Sequence, residues 1–599
     1  MEGQYITLEA AGMITPLGRG VSENYRAVLQ GNTCLSEHRD TFGVREPFVA
    51  SLFNRQRVEA DFTRLVCSFQ DHPAIGSKTA DAPYTFFEKL LIMAIADAVK
   101  SLPASVVQSR QTLLVLSSTK GNVTLLQHEA NDPRIMLGET AKRIANFFGM
   151  PTEPVVVSNA CISGVSAQIL AQRLLLQRAY RHIIVAGGDE QSRFIVSGFQ
   201  SFKALSPTRC RPYDARRDGL NLGEAAAAMV LTMKEAQEIH PNDWCLIAGG
   251  IRNDANHISG PSRVGEGSFL ALRQTVSDAD IPNLAFINAH GTATLYNDEM
   301  ESIAIDRAGL ADVPVNALKG LFGHTMGAAG ILETLLSIEA LRHGTILSTH
   351  GFSRLGVSRP IRVSGQSGET NRRSFVKLMS GFGGCNAAVR YAGGVCSTKS
   401  RPTAMPSAEY QTTHSLRILS DGTLTIDGRA TSFAEKGSAL LTALYRQRVN
   451  NYPKFFKMDP LCRLGFIASE LLLQTEGCAE EEQPRTDRAI VVCSRHGSYA
   501  NDLRYQQTIA NDNYFPSPAV FVYTLANIVT GEIAIRHHYR GETSCFLLRK
   551  HQAERVRRLA ATAFCDAQTG SVLCAWIDCR DSEHFEATLE LLERIERDV

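Results

Sequence analysis

The 14 cysteines of this chain include no CxxC pair and follow no regular spacing. That excludes a zinc-finger pattern or a disulfide framework and fits reduced thiols in the cytoplasm. No run of about 18 apolar residues is present, so nothing reads as a bilayer-spanning helix. Met1-Glu2-Gly3-Gln4-Tyr5 lacks the basic and apolar regions of a secretory signal, and a cytoplasmic location is expected. Charge of one sign is not in excess either: 62 Lys and Arg face 61 Asp and Glu, a formal net charge of +1. Nothing therefore points to nucleic acid or to an acidic membrane surface as a partner. The pair His537-His538 lacks a third ligand and reads as surface, so no metal site is expected there.

What is present is ordinary globular composition, 44% hydrophobic and 21% charged over 599 residues. Length alone suggests about four domain-sized units. Apolar β-branched runs alternate with helical periodicity. Leu113–Leu116, Val155–Val157, His182–Ala186, Ala225–Thr232, Trp244–Ile251, Leu284–Ala289 and Phe375–Met379 read as strands. Phe86–Leu102, Val165–Leu176, Gly267–Ser277 and Gly330–Arg342 read as helices. Alternation of this kind predicts α/β layers with a largely parallel sheet core. Arg39 to about Pro83 shows little period and reads as a surface excursion. Composition shifts after Gly393 to a stretch rich in Ser, Thr, Pro and Lys. This divides the chain into 1–394, a linker over 395–413, and a smaller α/β block over 414–599. In that block Asp421-Gly422 predicts a hairpin turn, and Ser582–Asp598 a closing helix.

Four strand ends carry chemistry-bearing residues. Val155-Val156-Val157-Ser158-Asn159-Ala160-Cys161-Ile162-Ser163-Gly164 predicts buried strand, tight turn and helix, with Cys161 at the turn. A thiol there lies near the positive end of a helix dipole, which favours the reactive thiolate. His290-Gly291-Thr292-Ala293-Thr294 follows another strand, with Asp298 and Glu301 further on. Lys319-Gly320-Leu321-Phe322-Gly323-His324 opens a helix, and Gly381-Phe382-Gly383-Gly384 lies between two strands. The glycine run is not a phosphate loop, because no Lys-Ser/Thr follows it. It suits close backbone approach to a ligand.

In this order the segments resemble the β-ketoacyl synthase family of the thiolase fold, from about Ile6 to Tyr391. The resemblance implies a layered α-β-α-β-α fold. Cys161, His290 and His324 match the family's Cys-His-His triad, and Lys319 and Glu301 its supporting pair, with Asp298 nearby. Cys385 departs from the threonine common at its place. The implied chemistry is acyl transfer to Cys161, then decarboxylation of a malonyl group held on acyl-carrier protein, and Claisen condensation. Two imidazole N–H groups would serve the enolate, and the N–H groups of Cys161 and Phe382 the tetrahedral oxyanion. Thr292 and Thr294 match residues that hold the phosphopantetheine arm. No cofactor beyond that carrier-bound arm is implied. Ordinary fatty-acid elongation and a specialised polyene or polyketide pathway both stay open. Ser118-Thr119-Lys120-Gly121-Asn122 is similar to synthases of aryl polyene and flexirubin-type pathways.

The block over 414–599 resembles a truncated, catalytically silent copy of the same family, close to chain-length factors. It has no cysteine where the nucleophile strand ends, since Cys545 falls too early. An unrelated α/β module is the other reading of the block, and a non-catalytic chain-length or scaffold protein the other reading of the whole chain's function. Synthases of this fold pair through the edge strand beside the nucleophile. The block is therefore expected to pack near the Cys161 strand, as a pseudo-dimer in one chain or within a homodimer.

Overall fold

The computed structural model describes residues 4–69, 82–394, 409–477, 483–511 and 514–595. Three units built on the same five-strand pattern follow one another along the chain. The first contains β1 (Gln4–Thr15), β2 (Thr112–Ser117), β3 (Val155–Val157), β4 (His182–Asp189) and β5 (Ala225–Glu235). Their pairing order is β1-β5-β4-β2-β3, parallel among β4, β2 and β3 and antiparallel elsewhere. The second contains β6 (Trp244–Asn253), β7 (Leu284–Asn288), β8 (Val315–Asn316), β9 (Ser374–Gly381) and β10 (Cys385–Gly393). It repeats the pattern as β6-β10-β9-β7-β8.

Helices α1 (Phe86–Val99) and α2 (Ser163–Leu176) belong to the first unit, and α3 (Glu266–Thr275) and α4 (Ala329–Arg342) to the second. Every residue of α2 is buried, and every residue of α4 except Arg342. Helices apolar all round need cover on all sides. They obtain it by lying between the two sheets, while α1 and α3 pack on the outer faces. This is the expected thiolase-like α-β-α-β-α layering. The two central helices meet backbone to backbone. A Cβ on Gly164 would lie 3.0 Å from Gly327 O, and one on Gly330 would lie 2.6 Å from Val165 N.

The third unit contains β11 (Tyr410–Leu419), β12 (Arg488–Ser494), β13 (Thr543–Leu547), β14 (Ser571–Cys579) and β15 (Phe585–Arg594). Its order, β11-β15-β14-β12-β13, is the same pattern again. Helices α5 (Pro460–Leu473), α6 (Ile528–His537) and α7 (Ala553–Ala561) accompany it. A matching turn supports the equivalence. In the first unit Ser118 Oγ and the N–H groups of Thr119 and Lys120 donate to Asp189 at the end of β4. In the third, Ser494 Oγ and the N–H groups of Arg495 and His496 donate to Asp578 near the end of β14.

Strand β3 pairs antiparallel with β13, Val157 opposite Phe546 and Val156 opposite Leu547. The first and third units thereby form one continuous sheet with a pseudo-twofold relation across that joint. A buried ion pair ties the same junction: Lys120 Nζ lies 2.8 Å from Asp502 and also donates to Thr524 O.

Three expectations need correction. Residues 582–598 contain strand β15, not a closing helix. Phe585, Ala587, Leu589 and Leu591 alternate into the core, so the period is two, and the charged residues between them face outward. The Arg39–Pro83 stretch holds a helix, Arg55–Phe69, while its residues 70–81 lie outside the described residues. The third unit opens at Tyr410, inside the segment read as linker, and linker residues 395–408 also lie outside the described residues. Among the described residues, no helix is long and apolar enough to cross a membrane.

Candidate active site

Cys161 sits in a 3₁₀ turn, Ala160–Ile162, between β3 and α2. Ala160 occupies the left-handed region at φ 46°, which turns the chain sharply enough to present the next side chain. The second unit uses the same device. Met326, at φ 51°, precedes the turn into α4, and His324 stands just before it. His290 follows β7. The thiol and one nitrogen of each imidazole all lie within 4.8 Å of one another. The two rings meet edge to face, with centroids 5.1 Å apart. The structure thus brings together three residues that sequence places 129 and 34 positions apart.

The protonation states follow from the surroundings. Burial, then the charge of Lys319, holds both imidazoles well below the ordinary histidine value, so they are neutral. Met326 N donates to His324 Nδ1 at 3.3 Å. The ring proton of His324 therefore resides on Nε2, which is buried and has no partner among the described residues. It is a free donor. Burial also pushes the Cys161 thiol up to about 12, with Lys319 opposing. Burial thus opposes the helix dipole, which by itself favours the thiolate.

The supporting pair also differs from expectation. Lys319 Nζ lies 2.8 Å from Glu333 and 2.5 Å from His290 O. Glu333, on α4, also binds Lys377, whose Nζ donates to Ala289 O at 3.0 Å. Lys319 thus pairs with Glu333 and not with Glu301. Burial would raise the Glu333 carboxyl, but the two lysines together hold it below its ordinary value. Burial lowers Lys377 to about 8.

Glu301 and Asp298 brace the loop that carries His290. Glu301 accepts from the N–H groups of His290 and Gly291, at 2.7 and 2.8 Å, and from Tyr213 Oη at 2.9 Å. Asp298 accepts from Tyr213 N at 2.7 Å and Ala293 N at 3.1 Å. Burial, then Glu301, pushes Asp298 up to about 7. Thr292 and Thr294 lie on the same loop with their hydroxyls 2.9 Å apart. Phe382 is half-buried against Phe202, at 5.5 Å. The preceding glycine abuts the nucleophile turn: a Cβ on Gly381 would lie 3.2 Å from Cys161 N.

Sequence reasoning missed Glu333, Lys377 and Tyr213. Lys377 carried a signal, a lysine inside the apolar run Phe375–Met379. A fully buried lysine needs a carboxylate partner. The atoms of Cys161, His290 and His324 are close enough to ligate a metal ion. The positive charge of Lys319 and Lys377 around one carboxylate works against a dication there.

In the third unit, strand register places Phe546 where Val157 stands and hence Lys550 where Cys161 stands. Lys550 is exposed. His537 contacts Glu470 at 3.1 Å, with no metal-ligand cluster around it among the described residues.

Residues 5–237 match the family model "Beta-ketoacyl synthase, N-terminal domain" and residues 245–353 match "Beta-ketoacyl synthase, C-terminal domain". A putative mitochondrial 3-oxoacyl-[acyl-carrier-protein] synthase of Schizosaccharomyces pombe is 26% identical over 427 residues, covering 64% of this chain and 98% of that one. A ketosynthase of Xenorhabdus doucetiae, solved in complex with its chain length factor, is 24% identical with a TM-score of 0.53, covering 65% of this chain and 98% of that one. The PfaC keto synthase–chain length factor structure is 13% identical but covers 99% of this chain and 78% of its own, with a TM-score of 0.72. That likeness of fold takes in the third unit as well as the first two. With both halves of the family model matched in order over more than half its length, the chain belongs to the β-ketoacyl synthase family.

Proposed function

We propose that the chain condenses a Cys161-bound acyl group with a malonyl group on acyl-carrier protein, extending the acyl chain by two carbons. The observation that carries this is the meeting of one thiol and two neutral imidazoles within 4.8 Å, above a buried Lys319–Glu333–Lys377 cluster. In the first step the Cys161 sulfur attacks the acyl thioester. A new S–C bond forms, the old one breaks, and the carrier thiol leaves with the proton. Because burial pushes the thiol up, its proton departs as attack proceeds. In the second step the malonyl C–C bond breaks and carbon dioxide leaves. The electron pair remains as an enolate, which attacks the acyl carbon. The Cys161 thiolate is expelled and regains a proton.

His324 Nε2–H suits the enolate oxygen because it has no competing partner, and the positive cluster keeps both rings neutral but polarised. His290 shares that role. Thr292 and Thr294 hold the phosphopantetheine arm. The names of the curated relatives as acyl-carrier-protein synthases support the carrier as partner.

The third unit acts as a chain-length-factor-like partner within the same chain. Its pairing with β3 takes the edge strand that a homodimer of this fold would use. The rings of Phe382, Phe202 and Phe521 follow one another at 5.5 and 6.2 Å, leading from the Gly381–Gly384 turn into that unit. This supports an influence on product length. A specialised polyene or polyketide pathway fits a fused chain-length partner better than ordinary fatty-acid elongation does. Intact-protein mass spectrometry after mixing with acyl-carrier substrate tests the reading. An acyl adduct that maps to Cys161, followed by release of carbon dioxide from malonyl-carrier, is expected. No adduct would show a scaffold protein instead.

A further inference from the structure

The turn Gly381–Gly384 is held by several hydrogen bonds, and one of them comes from the third unit. Asn527, the N-cap residue of α6, donates from Nδ2 to Phe382 O at 2.8 Å. The same carbonyl receives a weak thiol donor, Cys385 Sγ at 3.3 Å. Asn527 is 1% exposed, and its own Oδ1 has no partner among the described residues. The donor end of the amide is thus the end that is used. The helix behind it lies directly on the turn. A Cβ on Gly531 would fall 2.7 Å from Gly383 O and 2.9 Å from Gly383 Cα. Gly383 itself, at φ 90°, leaves no room beside Asn527: its Cβ would meet Nδ2 at 2.7 Å.

Other groups complete the frame. Gly383 N donates to Ile258 O at 2.6 Å, fixing the far side of the Phe382–Gly383 peptide. Asn253 Nδ2 donates both to Gly383 O, at 2.9 Å, and to Thr543 Oγ1 of β13, at 3.0 Å. On the nucleophile side, Asn159 Oδ1 accepts from Cys545 N of β13 at 2.7 Å. The two backbone segments that flank the reacting carbonyl, the Cys161 turn and the Phe382 turn, are therefore both tied to the third unit. Without Asn527 the Phe382 carbonyl keeps only the sulfur donor, and the peptide is held firmly from its far side alone, by Gly383 N–H to Ile258 O.

From this we infer that Asn527 is a positioning residue for acyl transfer: it orients the Phe382 backbone so that its N–H joins that of Cys161 in facing the tetrahedral oxyanion. The inference rests on the proposed reading of Cys161 as nucleophile. It makes the third unit necessary for the rate of the chemistry itself, in addition to any effect on product length. Displacing a preorganised group by about 1 Å costs up to roughly 100-fold in rate. A loss of roughly 10- to 100-fold in kcat is expected for Asn527→Ala, with KM within about twofold, since the oxyanion exists only in the transition state.

The experiment uses the full chain and compares acylation of Cys161 by acetyl- and dodecanoyl-pantetheine thioesters with its alkylation by iodoacetamide. Alkylation develops no oxyanion. The expected result is a kcat loss of similar size for both thioesters and an unchanged alkylation rate. Asn527→Asp, which keeps the shape but replaces the donor with an acceptor, should lose as much as Asn527→Ala. Gly531→Ala, which pushes α6 off the turn, should show the same signature and serves if the Asn527 variants do not fold. A loss confined to the dodecanoyl substrate would make Asn527 a lining residue and overturn the inference. So would equal loss in alkylation, or unaltered kinetics. If the unmodified protein takes no acyl label at Cys161, the underlying reading fails, and the inference with it. Label there with unaltered variants overturns the inference alone.

Discussion

The first and third units share strand order, the Asp-anchored serine turn and the place in the joined sheet, yet their central helices differ. Helix α2 is buried at all 14 positions, whereas α7 buries only Val556, Leu559 and Ala560. The reason is the layer above. α2 is covered by the second unit, which also brings His290 and His324 over Cys161. Among the described residues the third unit has no such cover, so the exposed side of α7 carries Glu554, Arg557 and Arg558, and Lys550 projects where the cysteine would be. A strand–turn–helix scaffold is therefore not an active site. The site needs a second unit to enclose it, to supply donors and to exclude water. What the bare unit retains is its edge strand, and that is what it offers to the first.

The sharpest way to break the comparison is at the two equivalent turns. Cys161→Ala should abolish covalent acylation, while Lys550→Ala should leave it within about twofold. Radiolabelled acyl-carrier measures both, and label retained by the cysteine variant would place the nucleophile elsewhere. Next in size, His290→Ala and His324→Ala should slow carbon dioxide release from malonyl-carrier by roughly 10²–10³, the usual cost of one such donor. Acylation should persist in both. Near-normal release from either variant would remove that histidine from the enolate site.

The junction can be tested through stability. Lys120 and Asp502 are 7% and 9% exposed. Lys120→Met strands a buried carboxylate and should cost roughly 3–5 kcal/mol in urea unfolding. Lys120→Met with Asp502→Leu should recover most of it. Equal losses in the single and double variants would show that packing, and not charge, holds the units together. The smallest effect concerns pH. A thiol raised to about 12 stays protonated through neutrality. Its alkylation by iodoacetamide should therefore rise about tenfold per pH unit from 7 to 10, without a plateau. A plateau near pH 7 would show the dipole-stabilised thiolate instead. Both imidazoles, held below their ordinary value, stay neutral as pH falls towards 6, so carbon dioxide release should not drop there.

Much of the site was legible because its residues lie in short local patterns. Cys161, His290 and Phe382 each follow a strand, and a strand end can be read from a window of ten residues, while His324 follows the short helix Lys319–Phe322. Glu333 was not legible. It is one of two glutamates in α4, and its role depends on Lys377 arriving from another strand. The role of Asn527 was not legible, because its partner Phe382 is 145 residues away. The strand at Phe585–Arg594 was misread because charged residues at alternate positions obscured a period of two. Those residues face outward, and only the sheet shows it.

The sequence by itself determined the layered α/β class, the four chemistry-bearing segments and the lack of a cysteine at the matching turn of the last unit. Each depends on near neighbours: apolar period, glycine at tight turns, and residue type at a strand end. Only the tertiary structure decided the protonation of Cys161 and the histidines, the true partner of Lys319, and the joint between β3 and β13. Those follow from desolvation and from charges converging across hundreds of residues, and both come into being only when the layers close.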